Sequence, residues 1–375
     1  MEVTLDNGIQ QHRTRYRGTD LDGPTLSPEG LWVRGRDLNS LIGSVSFETA
    51  VWHLWFGRLP SDAELQALTL RMQAIAIEQV VGSKGLQVAA AMSHSGVHMS
   101  GAAAAGLLCE FTMSPVDAPW DADFDILLAC LVAAPYLMRA GLGHAAIDVE
   151  PATTHAERVL RLAGGKDATS AGVSATCAID CLLTAWHAGF GYITPTVLVP
   201  RCAIGTGVGL PQAIAAGLLS SGPKHVGAAL EAMRWLSTLP ADEAGIEACV
   251  DALFDTPDGL LFGFGHPLFV EDPRPPHLRA LFAAAGTAGM RLKQYDVVCR
   301  RAKSRKGLNP NIDFITAAAL LDAQVHDPEW GPGIALCARI AAMAAHAVER
   351  RSRPPFGVNS ATARRLLAAV PVGWL

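Results

Sequence analysis

Three short segments place ionisable groups where the chain changes direction. In SGPKHVGAALEA, His225 follows Gly222-Pro223 at the start of a predicted helix. In LFGFGHPLFVEDPR, His266 lies in a glycine-flanked turn, with Arg274 a short distance on. In KGLNPNIDF, Asp313 comes just after a proline-containing loop, where another helix begins. Imidazole and carboxylate groups exchange protons in catalysis, and at loop–helix junctions such side chains can converge on one cleft. A helix N-terminus disfavours positive charge, so the His225 imidazole is expected to be neutral. Each residue also has a plainer reading. A histidine after Gly-Pro can be a cap or a surface residue, and an aspartate after Asn-Ile can be an N-cap.

The surrounding sequence supplies helices to hold these groups. Val51, Leu54 and Trp55 fall at helical spacing, and Gly57 and Pro60 end that segment. Ser61 and Glu64 form a capping box ahead of Leu65, Leu68, Leu70 and Met72. Further helices are predicted over 84–109, 124–139, 152–163, 171–187, 211–220, 224–237, 242–254, 275–301, 312–324 and 331–350. In the last, Leu336, Ile340, Met343 and Ala347 share a face. Alternating apolar–polar runs are scarce, and VLVP near 197 is too short to imply a sheet, so the fold is expected to be all-α. The Gly/Pro-rich stretches 203–223 and 255–276 are the hinge candidates.

Composition narrows the function classes. The chain has 375 residues, 50% hydrophobic and only 17% charged, which excludes a disordered protein. Thirty basic against 35 acidic residues give a net charge of −5, so a nucleic-acid partner is not expected, nor is a membrane surface. The uncharged stretches Gly85–Cys109 and Cys202–Pro223 are too polar and glycine-broken to span a bilayer, and the apolar run 126–138 is too short. The N-terminus has no apolar signal-peptide core, so a cytoplasmic location is expected. The eight cysteines include no CxxC and read as buried, reduced thiols. His94 and His98 stand four apart, but no supporting carboxylate or cysteine accompanies them, so no metal site is expected.

The segments GPKHVGAALEA, GFGHPLFVEDPR and KGLNPNIDF, in this order, resemble motifs of the citrate synthase family. RGRDLNSLIGSVSFETAVWHLWFGRLPSDAEL, GLPQAIAAGLLSSGPKH and IALCARIAAMAAHAVE followed by RSRPP are also similar to family segments. The resemblance spans about residues 31–355. It implies a Claisen-type condensation of an acyl-CoA with a 2-oxo acid, then thioester hydrolysis. On that reading Asp313 is the base, His225 stabilises the enol oxygen, and His266 protonates the acceptor carbonyl. His187, Arg274, Arg339 and Arg353 would hold the dianionic acceptor, Arg353 reaching across from the partner subunit of a homodimer. Gly263, Phe264, Gly265 and Lys306 would lie along the CoA, Lys306 within the cationic run CRRAKSRKGL. Acyl-CoA would be a co-substrate, with no permanently bound cofactor.

The resemblance also implies a large helical domain of 1–222 with 325–375, and a small domain of 223–324 that closes the cleft. Several neighbours depart from the family pattern. Val226 and Ala229 replace Gly and Asn, Pro267 replaces Arg, and Trp186 stands where an acid precedes His187. The HP-DPR-P-L pattern from His266 to Leu278 also resembles citryl-CoA lyases, which cleave the carbon–carbon bond. A paralog that binds CoA or a di-acid without turnover is the other alternative.

Overall fold

The computed structural model describes Leu21, residues 30–109, 120–145, 154–169, 172–189, 194–266, 269–287 and 289–351, with Ala361 and Arg364. Among these residues there are sixteen α-helices, and the strands are one short hairpin, Trp32–Val33 paired antiparallel with Arg36–Asp37. The all-α expectation holds.

Helix Trp330–Arg351 is the axis of the core. It packs against Pro195–Ile204, Ala122–Gly141, Leu210–Leu219 and Gly172–Trp186. Leu336, Ile340, Met343 and Ala347 are completely buried, as their shared face requires. Small residues set how closely the helices approach. A Cβ added at Gly217 would lie 2.7 Å from Pro200 Cγ and 2.9 Å from Met343 Sδ. The abundance of Ala and Gly is thus a packing device, since interaxial distance depends on the side chains at the crossing. Ala122–Gly141 and Trp330–Arg351 are 20 and 22 residues long, apolar enough by length and composition to cross a membrane. The apolar run 126–138 therefore belongs to a longer helix than its own length suggests. Both helices are interior, with 89% and 94% of their apolar windows buried in protein.

Residues 223–322 pack largely on one another. Ala228–Thr238 lies on Ile312–Asp322, and Met290–Lys306 contacts both Ile312–Asp322 and Glu243–Asp255. The Phe314 ring centres this group, 4.7 Å from the ring of Phe264 and 5.4 Å from that of Tyr295.

Glycines break three of the predicted helices. The 84–109 prediction splits at Gly96, in left-handed conformation, into Lys84–Met92 and Met99–Cys109. The 275–301 prediction splits at Gly286 and Gly289 into Arg274–Ala284 and Met290–Lys306. The 224–237 prediction splits at Gly227 into a four-residue helix, Pro223–Val226, and helix Ala228–Thr238. Helix Pro195–Ile204 was not predicted. Pro195 sits at its start, where a missing N–H costs nothing, and VLVP belongs to it. The capping box of Ser61 and Glu64 is present. The cysteine expectation needs correction: Cys130, Cys181 and Cys337 are buried, but Cys109, Cys177 and Cys202 are exposed, and all eight are free.

Candidate active site

Backbone pairing between two loops builds the site. Gly265 N–H donates to Asn309 O at 2.9 Å, Asn311 N–H donates to Gly263 O at 2.8 Å, and Phe264 bridges Pro310. The Asn311 side chain adds a donor to Gly265 O at 2.6 Å. Together these bonds hold the turn carrying His266 beside the helix start carrying Asp313. Gly263 has φ +80° and Gly265 φ +72°, the left-handed region that favours glycine. Asn311, not Asp313, caps helix Ile312–Asp322, accepting from Asp313 N at 2.9 Å. The Asp313 carboxyl is thereby left for other work.

Arg274 is fixed from the same side. Its Nε and Nη2 form a fork on Asp272 at 2.9 and 2.8 Å, and Asp272 Oδ2 also accepts from Ile312 N at 3.0 Å. One buried carboxylate therefore ties the acceptor-arginine candidate to the helix of Asp313. Burial pushes the Asp272 pKa up, but Arg274, and more weakly His266, pull it below the usual carboxylate range. Such two-point guanidinium–carboxylate bonds are directional as well as strong.

Trp186 joins the second arginine to the first. The guanidinium carbons of Arg274 and Arg339 lie over its indole, 5.7 and 5.6 Å from the ring centre. Arg339 Nε donates to the Trp186 carbonyl at 2.9 Å. The indole N–H donates to Thr316 Oγ1 at 2.9 Å, one turn beyond Asp313 on the same helix. Gly189 makes room for the Arg339 head, since a Cβ there would sit 2.4 Å from Nη1. Two like charges in a buried site repel, and the electron-rich indole face offsets part of that cost.

These charges tune the candidate acid–base groups. Burial raises the Asp313 pKa to about 7; Arg274 and Arg339 oppose the rise and Asp272 adds to it. Burial, then repulsion from Arg274, lowers the Arg339 pKa to about 9, with Asp313 opposing. His225 falls to about 4, through burial first and Arg339 second. The neutral imidazole expected from sequence is therefore present, but for a different reason. The single-turn helix Pro223–Val226 is too short to exert a helix dipole, and desolvation does the work. Thr196, on the unpredicted helix, lies 3.3 Å from His225 Nε2. His266 Nδ1 accepts from Phe269 N–H at 3.2 Å, so in its neutral form the proton sits on Nε2.

The structure therefore brings together His225, His266, Asp313, Arg274 and Arg339. It does not expose His187, which is completely buried. Its Nδ1–H donates to Thr184 O at 2.6 Å, and its Nε2 has no hydrogen-bond partner. Burial lowers its pKa to about 4. In this conformation His187 backs Arg339 and touches no open space, contrary to the substrate contact expected. Gly265 is exposed, and Gly263 is buried under Phe314. Lys306 donates to Phe254 O at 3.3 Å and lies over the Phe254 ring. The cationic run is largely neutralised: Arg300 pairs with Glu243, Arg301 with Asp251, and Arg305 with Asp251 and Asp255. Arg353 and Pro267 lie outside the described residues. His94 and His98 do not share a helix face; His98 instead pairs with Glu329 at 3.3 Å.

Sequence reading missed Asp272, Thr196 and Thr316, and saw Trp186 only as a departure from a pattern. The DPR motif held the signal for Asp272. Thr196 and Thr316 had none, because their roles depend on helices meeting in space.

The protein is thus all-α, with a centre that gathers two arginines, two histidines and a carboxyl. A family model described as the citrate synthase C-terminal domain matches residues 12–355. The chain belongs to the citrate synthase family. It is 26% identical over 336 residues to citrate synthase 2 of Bacillus subtilis, across 84% of this chain and 85% of that protein. It is 25% identical over 337 residues to citrate synthase of Haloferax volcanii, across 84% of each. Its fold matches the citrate synthase of Thermoplasma acidophilum, solved as a ternary complex with carboxymethyl coenzyme A and oxaloacetate. That match has a TM-score of 0.70 at 18% identity, over 88% of each chain.

Proposed function

We propose that this protein condenses an acyl-CoA, acetyl- or propionyl-CoA, with oxaloacetate or a related 2-oxo di-acid, and then hydrolyses the thioester. The observation that carries this reading is the convergence of Asp313 with His225, His266 and the two buried arginines, where burial raises the Asp313 pKa to about 7. A base poised near neutral pH suits a weakly acidic thioester α-proton.

In this mechanism Asp313 takes the α-proton. The neutral His225 donates to the thioester oxygen and stabilises the enol. The enol carbon attacks the keto carbon of the di-acid, and His266, protonated on Nε2, gives that proton to the keto oxygen. Water then cleaves the thioester, returning a proton to His266 Nε2 as it attacks, while the leaving CoA sulfur takes the proton held by Asp313; CoA and a citrate-like acid are released with both groups restored. Arg274 and Arg339 receive the acceptor carboxylates through the guanidinium hydrogens not already used by Asp272 and by the Trp186 carbonyl. His187 acts behind Arg339 as a positioning residue.

Residues 223–324 move as a small domain against 1–222 with 325–375, and closure excludes water while the enolate exists. The working unit is a cytoplasmic homodimer in which Arg353 completes the partner's acceptor site. Lys306 and the Gly263–Gly265 loop lie along the CoA.

The test is incubation of purified protein with oxaloacetate and acetyl- or propionyl-CoA, following free thiol. Release that vanishes in Asp313→Ala supports the proposal. Cleavage of citryl-CoA without net thiol release reassigns the direction to a lyase. CoA binding without turnover of any acyl-CoA overturns both enzyme readings.

A further inference from the structure

A second concavity shares no residue with the site above. It has a volume of about 390 Å³ and opens between helix Lys84–Met92, the end of Ala122–Gly141 and helix His155–Thr169. Leu86, Ala90, Ala140 and Leu162 form apolar walls. Arg139 stands at one side. Its Nε donates to Ala145 O at 2.8 Å and its Nη1 to Leu162 O at 2.6 Å. Among the described residues no carboxylate pairs with it, and burial, with no anion opposing, lowers its pKa. Tyr136, one turn earlier on the same helix, also lines the space and is buried. His144 lines it too, but its Nε2 is engaged by Asp327 at 2.7 Å.

Arg139 is held rigidly by two carbonyls, which orient a guanidinium without neutralising it. A half-buried cation beside apolar walls is complementary to an anion with an apolar body. Arg71 and Arg274, two other inward-turned arginines, each have a carboxylate at 2.6–2.8 Å. Arg139 has two carbonyls and an open cavity at its side, where an anion would fit.

We infer that this cavity is a second ligand site, which takes a monocarboxylate with an unbranched apolar chain, its carboxylate on Arg139 and its chain along Leu86, Ala90, Ala140 and Leu162. The inference does not depend on the proposed condensation activity.

The experiment is isothermal titration of the full-length protein with octanoate, octan-1-ol and octylamine. The expected result is one octanoate per chain, bound more tightly than either analogue. Arg139→Met is expected to weaken octanoate about tenfold or more while leaving octan-1-ol unchanged. Arg139→Lys should keep part of the preference for octanoate. Ala90→Trp, at an exposed position and able to fill the space, should abolish binding of both. Thiol release and thermal midpoint are read on each variant; for Arg139→Met thiol release is expected to stay at the wild-type value, while the midpoint falls modestly because Ala145 O and Leu162 O lose their donors. Octanoate failing to bind at millimolar concentration, or binding no better than octan-1-ol, overturns the inference. So does undiminished octanoate binding by Arg139→Met, or octanoate binding that survives Ala90→Trp.

Discussion

Gly263 and Gly265 are two residues apart in one loop, and both have positive φ. Replacing either with alanine costs the backbone roughly 1–2 kcal/mol, because an L side chain in that region crowds its own carbonyl. Only one of them meets a wall. An alanine Cβ at 263 would lie 2.7 Å from Phe314 Cβ, 2.8 Å from Phe314 N and 2.9 Å from Phe314 Cα. Those atoms belong to the first turn of the Asp313 helix and cannot rotate away. At 265 nothing lies within 4 Å. Overpacking of this kind adds about 1–3 kcal/mol. Gly263→Ala is therefore expected to lose roughly 2–5 kcal/mol and Gly265→Ala roughly 1–2, compared as urea midpoints at constant m. Catalysis should separate further. The bonds Asn311 N–H to Gly263 O and Gly265 N–H to Asn309 O set the His266 turn against Asp313. Pushing them apart by about an ångström should cost on the order of a hundredfold in kcat for Gly263→Ala. Gly265→Ala should stay within about threefold. Equal losses of stability and activity in the two variants would refute the argument that this close approach positions the site.

Three further outcomes are expected. First, kcat/KM for acyl-CoA should rise through about pH 7 as Asp313 ionises, and this limb should disappear in Asp313→Asn. Because burial raises this pKa from 3.8 to about 7, the native state holds an extra proton between those values. Stability therefore falls as pH rises through that window, and Asp313→Asn should gain relative to wild type from pH 4 to pH 8, read by urea melts. Second, Trp186→Leu, which removes the indole face under Arg274 and Arg339, should raise KM for the oxo acid about tenfold. Trp186→Phe should raise it only about threefold, and steady-state kinetics should show the acyl-CoA KM little changed in both. Third, Arg300→Ala and Arg301→Ala should leave the acyl-CoA KM within about twofold, because Glu243 and Asp251 already hold these charges at the surface. A larger KM increase in kinetic assays would place the CoA phosphates on this face.

Much of the site was legible because its chemistry sits at chain landmarks. His225, His266 and Asp313 each follow a glycine or proline signal, and the structure does bring their segments together. The helical core was legible too, since Leu336, Ile340 and Met343 declare a buried face by spacing alone. What escaped depends on contacts between distant segments. Trp186 reads only as a departure from a family pattern until two arginines, 88 and 153 positions later, close over it. His187, predicted to touch substrate, is completely buried just past the end of helix Gly172–Trp186, which packs against Trp330–Arg351, a contact no local pattern carries. In the cationic run before Asp313, three acids on helix Glu243–Asp255 claim the arginines, while Lys306 lies apart over the Phe254 ring, a division no local pattern carries. Helix boundaries failed where single glycines, Gly96 and Gly286, turn the chain inside otherwise continuous apolar patterns.

The most direct test of the central claim is free-thiol release from acetyl- or propionyl-CoA in the presence of oxaloacetate, measured for wild type and Asp313→Ala side by side. The account predicts oxaloacetate-dependent release by the wild type and its loss in the variant, with CoA binding retained. Release that persists in Asp313→Ala, or wild-type protein that binds CoA yet releases no thiol, would contradict it.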